Sequence, residues 1–123
     1  MRALVVDDSG TVRLYLRKIL SPHGFEVVEA RNGREGLDQI RERPVDLVLL
    51  DWNMPVMNGL ELLQHIRTEP DVGSPCVMMV TTENDLREVS QALENGANEY
   101  VMKPFTPEII LDKLALLGFP FVA

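Results

Sequence analysis

The sequence predicts a parallel α/β domain whose sheet is covered by helices on both faces, and three observations carry that expectation. Short apolar runs alternate five times with longer segments of helical period, joined by short turns. Ala3-Leu4-Val5-Val6, Leu47-Val48-Leu49-Leu50 and Val77-Met78-Met79-Val80 are apolar at every position, as strands buried on both sides must be. Each of these runs ends in a polar group: Asp7-Asp8, Asp51 and Thr81, while Tyr100-Val101-Met102 runs into Lys103. In a parallel sheet those ends lie side by side, at the edge where open α/β sheets bind ligands.

Taken in order, the first run is a central strand. The first helix starts near Ser9-Gly10, buries Val12, Leu16 and Ile19, and stops before Pro22-His23-Gly24. Phe25 to Ala30 mixes glutamates with valines and reads as an edge strand. Asn32 and Glu35 have capping-box spacing and open a second helix that ends by Pro44. After the third strand, Gly59 to Thr68 carries Leu60, Leu63 and Ile66 at helical spacing. Asp85 to Glu94 carries Leu86, Val89 and Leu93 before an Asn95-Gly96 stop. Asn98 to Met102 is the second mixed, edge-like strand. Thr106-Pro107-Glu108 supplies an N-cap, a first-turn proline and a first-turn acid for the last helix.

At 123 residues the chain is read as one domain, 1–123, with a single sizeable core and no linker or output domain. A net charge of −7 argues against direct nucleic-acid binding. One cysteine excludes an intramolecular disulfide framework, and Cys76, opening an apolar run, reads as a core thiol. No stretch approaches the ~20 apolar residues of a membrane helix, and no signal peptide precedes the first strand. The chain is expected to be cytoplasmic. His23 and His65 have no second ligand at metal spacing and read as solvated. The apolar tail Gly118 to Ala123 either covers the sheet edge or meets a partner.

Three carboxylates gathered at one edge repel one another and need a cation or raised pKa values. Hard oxygen ligands suit Mg²⁺, which commonly pairs carboxylates with phosphate oxygens. Taken singly, adjacent aspartates cap helices, a threonine at a strand end caps a turn, and a lysine there is a solvated charge. Together at the ends of neighbouring strands they read as chemistry: Lys103 neutralises the acids and grips a phosphoryl oxygen, and Thr81 hydrogen-bonds an incoming phosphoryl group.

Several segments together resemble one family. Val5-Val6-Asp7-Asp8-Ser9, Asp51-Trp52-Asn53-Met54-Pro55, Asn58-Gly59-Leu60-Glu61-Leu62-Leu63, Val80-Thr81 and Tyr100-Val101-Met102-Lys103-Pro104-Phe105 are similar to response-regulator receiver domains of the stand-alone chemotaxis (CheY-like) type. The likeness spans essentially the whole chain. It implies a doubly wound, flavodoxin-like three-layer sandwich with strand order 2-1-3-4-5. It also implies a phosphorylation-activated switch of a two-component system, controlling chemotaxis or motility, that is not a turnover enzyme on an external substrate. Asp51 would be the phosphoacceptor. Asp8, Asp51 and the backbone carbonyl of Asn53 would ligate Mg²⁺, with Asp7 acting through water. Lys103 would pair with phosphoryl oxygens, Thr81 and Tyr100 would form the switch, and Tyr100 and Lys113 would lie on the partner face. The implied partners are a histidine kinase, a downstream target such as a motor switch, and a phosphatase; the implied state is a monomer. The family's Lys-Pro peptide is typically cis.

Some positions depart from the chemotaxis pattern or bear on it. Thr82 stands where alanine is common and narrows access, while Asn53 and Glu83 match and bear on hydrolysis rate. Leu116 occupies the place of a second partner-facing lysine. A haloacid-dehalogenase-type phosphatase would need an acid where Ser9 stands. A flavodoxin-like FMN carrier would set its phosphate against Asp7-Asp8. Within the family, the alternative is a single-domain intermediate of a multistep phosphorelay.

Overall fold

The computed structural model describes residues 1–82 and 86–119. Five strands, β1 (Arg2–Val6), β2 (Glu26–Ala30), β3 (Leu47–Leu50), β4 (Cys76–Thr81) and β5 (Glu99–Met102), alternate with α1 (Gly10–Leu20), α2 (Gly33–Glu42), α3 (Gly59–Thr68), α4 (Leu86–Glu94) and α5 (Pro107–Leu116). All pairings are parallel, in the order β2-β1-β3-β4-β5. The two compositionally mixed strands are the two edges, where one side of the ladder meets no neighbouring strand.

The all-apolar strands divide their side chains between two cores with the period of two that a pleated strand imposes. Leu4, Val6, Val48, Leu50, Val77 and Met79 face Leu37 and Ile40 of α2, Leu62, Leu63 and Ile66 of α3, and Ala92 of α4. Ala3, Val5, Leu47, Leu49, Met78, Val80 and Val101 face Leu16, Ile19 and Leu20 of α1 and Ile110 and Leu114 of α5. Truncating any of these leucines to alanine costs about 2–5 kcal/mol, so the strand ends are carried on a rigid platform.

The helix ends follow the caps read from sequence, with three differences. Ser9 and Thr106 cap α1 and α5 by accepting from Val12 and Ile109 N–H. Asn32 accepts from the Glu35 N–H, but the Glu35 carboxylate accepts from Arg31 N–H rather than returning to Asn32. The complete capping box is instead on α3, between Asn58 and Glu61. α1 is followed by a 3₁₀ turn, Ser21–His23, closed by Gly24 at φ 90°. α4 stops at Asn95-Gly96, where Gly96 takes φ 101° and the Gly96 and Ala97 N–H groups return to the carbonyls of Leu93 and Ala92. Its buried contact is Ala92, while Leu86 and Leu93 are exposed.

Cys76 is partly buried against the α1/α5 core, and burial pushes its thiol upward. His65 is held by Glu69, Nδ1 to Oε2 at 2.6 Å, rather than standing free in solvent. Of the apolar tail, Phe119 packs on Phe25 with ring centroids 5.6 Å apart. The tail from residue 120 onward, together with Glu83 and Asp85, lies outside the described residues. Among the described residues no helix is long and apolar enough to cross a membrane.

Candidate functional site

Sheet hydrogen bonding runs one residue past three of the strands and so fixes the groups at their ends. Asp7 N–H donates to Ala30 O (3.1 Å), Asp51 N–H to Val6 O (3.0 Å) and Lys103 N–H to Thr81 O (2.9 Å). The side chains then meet. Lys103 Nζ donates to Asp7 Oδ2 at 2.8 Å and reaches Asp51 Oδ2 at 3.4 Å. The other carboxylate oxygens accept main-chain donors, Asp7 Oδ1 from Ser9 N–H and Asp51 Oδ1 from Trp52 N–H, each at 2.8 Å. One oxygen from each of Asp7, Asp8 and Asp51 falls within 4.8 Å of the other two. Asp7 and Asp51 are buried, 2 % and 8 % exposed, whereas Asp8 is exposed.

The cluster holds more negative charge than its lysine balances. At these separations each carboxylate pair repels by at least about 3 kcal/mol at an effective dielectric of about 20. Burial raises the Asp7 pKa above the ordinary carboxylate value, outweighing the bonds from Lys103 and Ser9. Burial also works to lower the Lys103 pKa. The hydrogen bond to Asp7 and the charges of Asp7 and Asp51 overcome it and hold the ammonium above its usual range. A compact set of hard oxygen donors with surplus negative charge suits a small divalent cation such as Mg²⁺. Asp7, Asp8 and Asp51 could each bring one oxygen to such an ion.

The loop after Asp51 is drawn tight beneath the site. Gly59 donates to Trp52 O at 2.8 Å, and a Cβ at Gly59 would fall 2.1 Å from the Asp51 carbonyl oxygen. Only glycine fits this approach. Trp52 is buried beside Asp51 and Asn53 is exposed on the loop. Val56, 81 % exposed, takes φ 71°, a left-handed conformation unfavourable for a β-branched side chain.

Sequence reading thus named Asp7, Asp8, Asp51 and Lys103, and the structure brings them together. Thr81 is fully buried at the end of β4, tied to Lys103 through its carbonyl, and the Lys103-Pro104 peptide is cis. Tyr100 is half-buried against the α2/α3/α4 core, and Lys113 pairs with Glu99 at 3.3 Å. These two stand apart from the acid cluster. Gly59 and Arg13, whose Nη1 donates to the Asp7 carbonyl at 2.7 Å, are the contributors that sequence reading missed. The Asn58-Gly59 pair marked a helix start, and nothing in the sequence singles out Arg13 from the other charges of α1.

Comparison with known proteins agrees with this geometry. The family model described as response regulator receiver domain matches residues 3–115. The chain belongs to the response regulator receiver domain family. The receiver domain is 43% identical over 116 residues to a chemotaxis protein CheY homolog of Campylobacter jejuni, covering 93% of this chain and 89% of that one. It is 41% identical over 119 residues to chemotaxis protein CheY1 of Helicobacter pylori, covering 95% and 96%. Among solved structures it is similar to chemotaxis response regulator CheY4 of Vibrio cholerae, with 33% identity, a TM-score of 0.87 and 94% and 97% of the two chains covered. CheY-like receiver domains are signalling proteins rather than turnover enzymes, work with histidine kinases and downstream effectors, and generally hold Mg²⁺ in an acidic pocket. Asp7, Asp8 and Asp51 form such a pocket here.

Proposed function

We propose that this receiver domain takes a phosphoryl group from a histidine kinase onto Asp51 and passes the signal to a protein partner in the control of chemotaxis. The meeting of Asp7, Asp8, Asp51 and Lys103 at one sheet edge carries this reading. An Asp51 carboxylate oxygen attacks phosphorus as the bond to the donor imidazole breaks, and the imidazole leaves with that electron pair. Asp51 Oδ2 faces Lys103, whose ammonium lies where charge gathers on the transferred group. Asp8, Asp51 and the Asn53 carbonyl would hold Mg²⁺, which would neutralise charge on the transferred group. Water then attacks the phosphoryl group, aided by a phosphatase, releasing inorganic phosphate and the free Asp51 carboxylate, and the domain acts on no external substrate. The chemotaxis names of the relatives favour this reading over a phosphorelay intermediate.

Output runs through Thr81 and Tyr100. Met79 belongs to the α2/α3/α4 core and Val80 to the opposite one, so Thr81 falls on the same sheet face as Tyr100 on the neighbouring strand. A Thr81 hydroxyl drawn to the phosphoryl group frees space for the Tyr100 ring. Moving a conformer from ~1% to ~99% needs about 5.5 kcal/mol, and one charge-assisted hydrogen bond supplies only ~1.5–3 kcal/mol. Lys103 and a partner docked on α4, β5 and α5 beside Lys113 supply the remainder, to which a bound metal would add. The domain works in the cytoplasm as a monomer.

The test is phosphoryl labelling by acetyl phosphate with Mg²⁺ in wild type and Asp51→Asn. Wild type takes label and Asp51→Asn takes none; robust labelling of the mutant overturns the assignment. Tyr100→Ala and Lys113→Ala are expected to weaken partner binding while keeping the label. Normal binding by both, with loss in Tyr15→Ala, would move the docking face to α1 and favour the phosphorelay.

A further inference from the structure

Arg13 lies one helical turn into α1 and is only 16 % exposed along its side chain. Its guanidinium is gripped from two directions. Nη1 donates to the Asp7 backbone carbonyl at 2.7 Å, and Nε donates to Glu29 Oε1 at 3.0 Å. Glu29, on the edge strand β2, is itself fixed by Arg17, whose Nε donates to its other oxygen at 2.9 Å, and its backbone carbonyl accepts from Gln39 of α2 at 3.3 Å. The two arginines hold the Glu29 carboxyl below the usual range against the opposing effect of burial. The Asp7 carbonyl is thus the end of a chain of bonds anchored in α1, β2 and α2.

That carbonyl belongs to the peptide joining Asp7 to Asp8. The peptide is planar, so fixing its oxygen also fixes the plane from which Asp8 departs. With Ser9 N–H on Oδ1, Lys103 on Oδ2 and Arg13 on the main chain, every oxygen of Asp7 accepts a bond. Asp8, exposed and adjacent, is aimed by that peptide and by the start of α1.

We infer that Arg13, oriented by Glu29, is a positioning residue for the metal site, acting on Asp8 through the Asp7-Asp8 peptide. The inference rests on the reading of Asp8 and Asp51 as Mg²⁺ ligands. It makes a prediction opposite in sign to that of simple charge. As one more cation near a divalent-ion site, Arg13 would repel Mg²⁺, and its removal would tighten binding. As a positioning group its removal weakens binding, since outer partners of metal ligands typically contribute about 10–100-fold to affinity. Lysine keeps the charge but has a single ammonium that cannot reproduce the two-directional fork.

The experiment is a Mg²⁺ titration followed by Trp52 fluorescence, with isothermal calorimetry as a second readout, on wild type, Arg13→Ala, Arg13→Lys and Asp8→Ala. Expected are roughly tenfold weaker binding in both Arg13 variants and none in Asp8→Ala. In acetyl phosphate labelling the Arg13 variants are expected to need proportionately more Mg²⁺ for half-maximal rate, with most of the rate restored at saturation. Circular dichroism melts in EDTA confirm that each variant is folded; should Arg13→Ala not fold, Arg13→Lys decides. Unchanged or tighter Mg²⁺ binding in the Arg13 variants, alongside loss in Asp8→Ala, overturns the inference. Wild-type binding by Asp8→Ala overturns instead the metal-ligand reading beneath it.

Discussion

The two ends of the sheet treat charge in opposite ways. At the amino-terminal ends of the strands, Asp46 accepts from the Arg2 N–H at 2.8 Å, and Arg43 meets Glu26 at 3.3 Å. Half-buried Arg67 there donates to the carbonyls of Pro75 (2.8 Å) and Gly96 (3.0 Å) and to Asn98 Oδ1 (2.8 Å). Each of these charges is turned toward a complementary group, and Arg67 stitches α3 to the loops on either side of α4 and β4. At the carboxyl-terminal ends, three carboxylates share one lysine. The first end holds the molecule together. The second keeps an unfavourable charge arrangement that Lys103 balances only in part and that a bound cation would relieve further.

The sharpest way to break this contrast is to supply the cation. Mg²⁺ at a hundred times its dissociation constant is expected to stabilise the wild type by about 2.7 kcal/mol, read as a rise in Tm, with no rise in Asp8→Ala. An equal rise in that mutant would put the metal elsewhere. Next in size, Arg67→Ala removes the donors to two carbonyls at the opposite end. Chemical denaturation should show a loss of about 1–3 kcal/mol, while the folded protein still takes phosphoryl label at Asp51. Loss of label at full folding would mean the two ends are coupled.

The smallest effect concerns pH. The folded pKa of Asp7 lies above its unfolded value, so its contribution to stability is greatest below about pH 4 and is lost as pH rises through the raised folded value. Lys103, raised as well, contributes below its unfolded value near 10.5 and loses that contribution only at higher pH. Asp7→Asn mimics the protonated acid and is expected to raise the metal-free Tm slightly at pH 7 and to leave it unchanged near pH 3. A lower Tm at pH 7 would show that the Lys103 pairing outweighs the burial of the charge.

Much of this was legible in the sequence because buried parallel strands are uniformly apolar, so the first polar residue after each one marks the sheet edge. Asp7, Asp51, Thr81 and Lys103 were found in that way. Strand order came from resemblance, since periodicity does not say which strands are neighbours. The buried side of α4 was obscured because Ala92 gives little hydrophobic signal beside the exposed Leu86 and Leu93. Arg13 and Arg67 were equally hidden, since a charged residue on an amphipathic helix reads the same whether it faces water or a buried carbonyl. Gly59 signalled a helix start, but its closeness to the Asp51 carbonyl depends on a tertiary contact.

Val56 gives the rim of the site a mechanical character. A β-branched residue held at φ 71° stores roughly 1–3 kcal/mol that glycine or asparagine would largely release. The loop joining Asp51 to α3 is therefore a loaded spring fastened at both ends, by the sheet at Asp51 and by the capped helix at Gly59. Its other shapes lie closer in energy than they would for a relaxed loop, and that loop carries the Asn53 carbonyl.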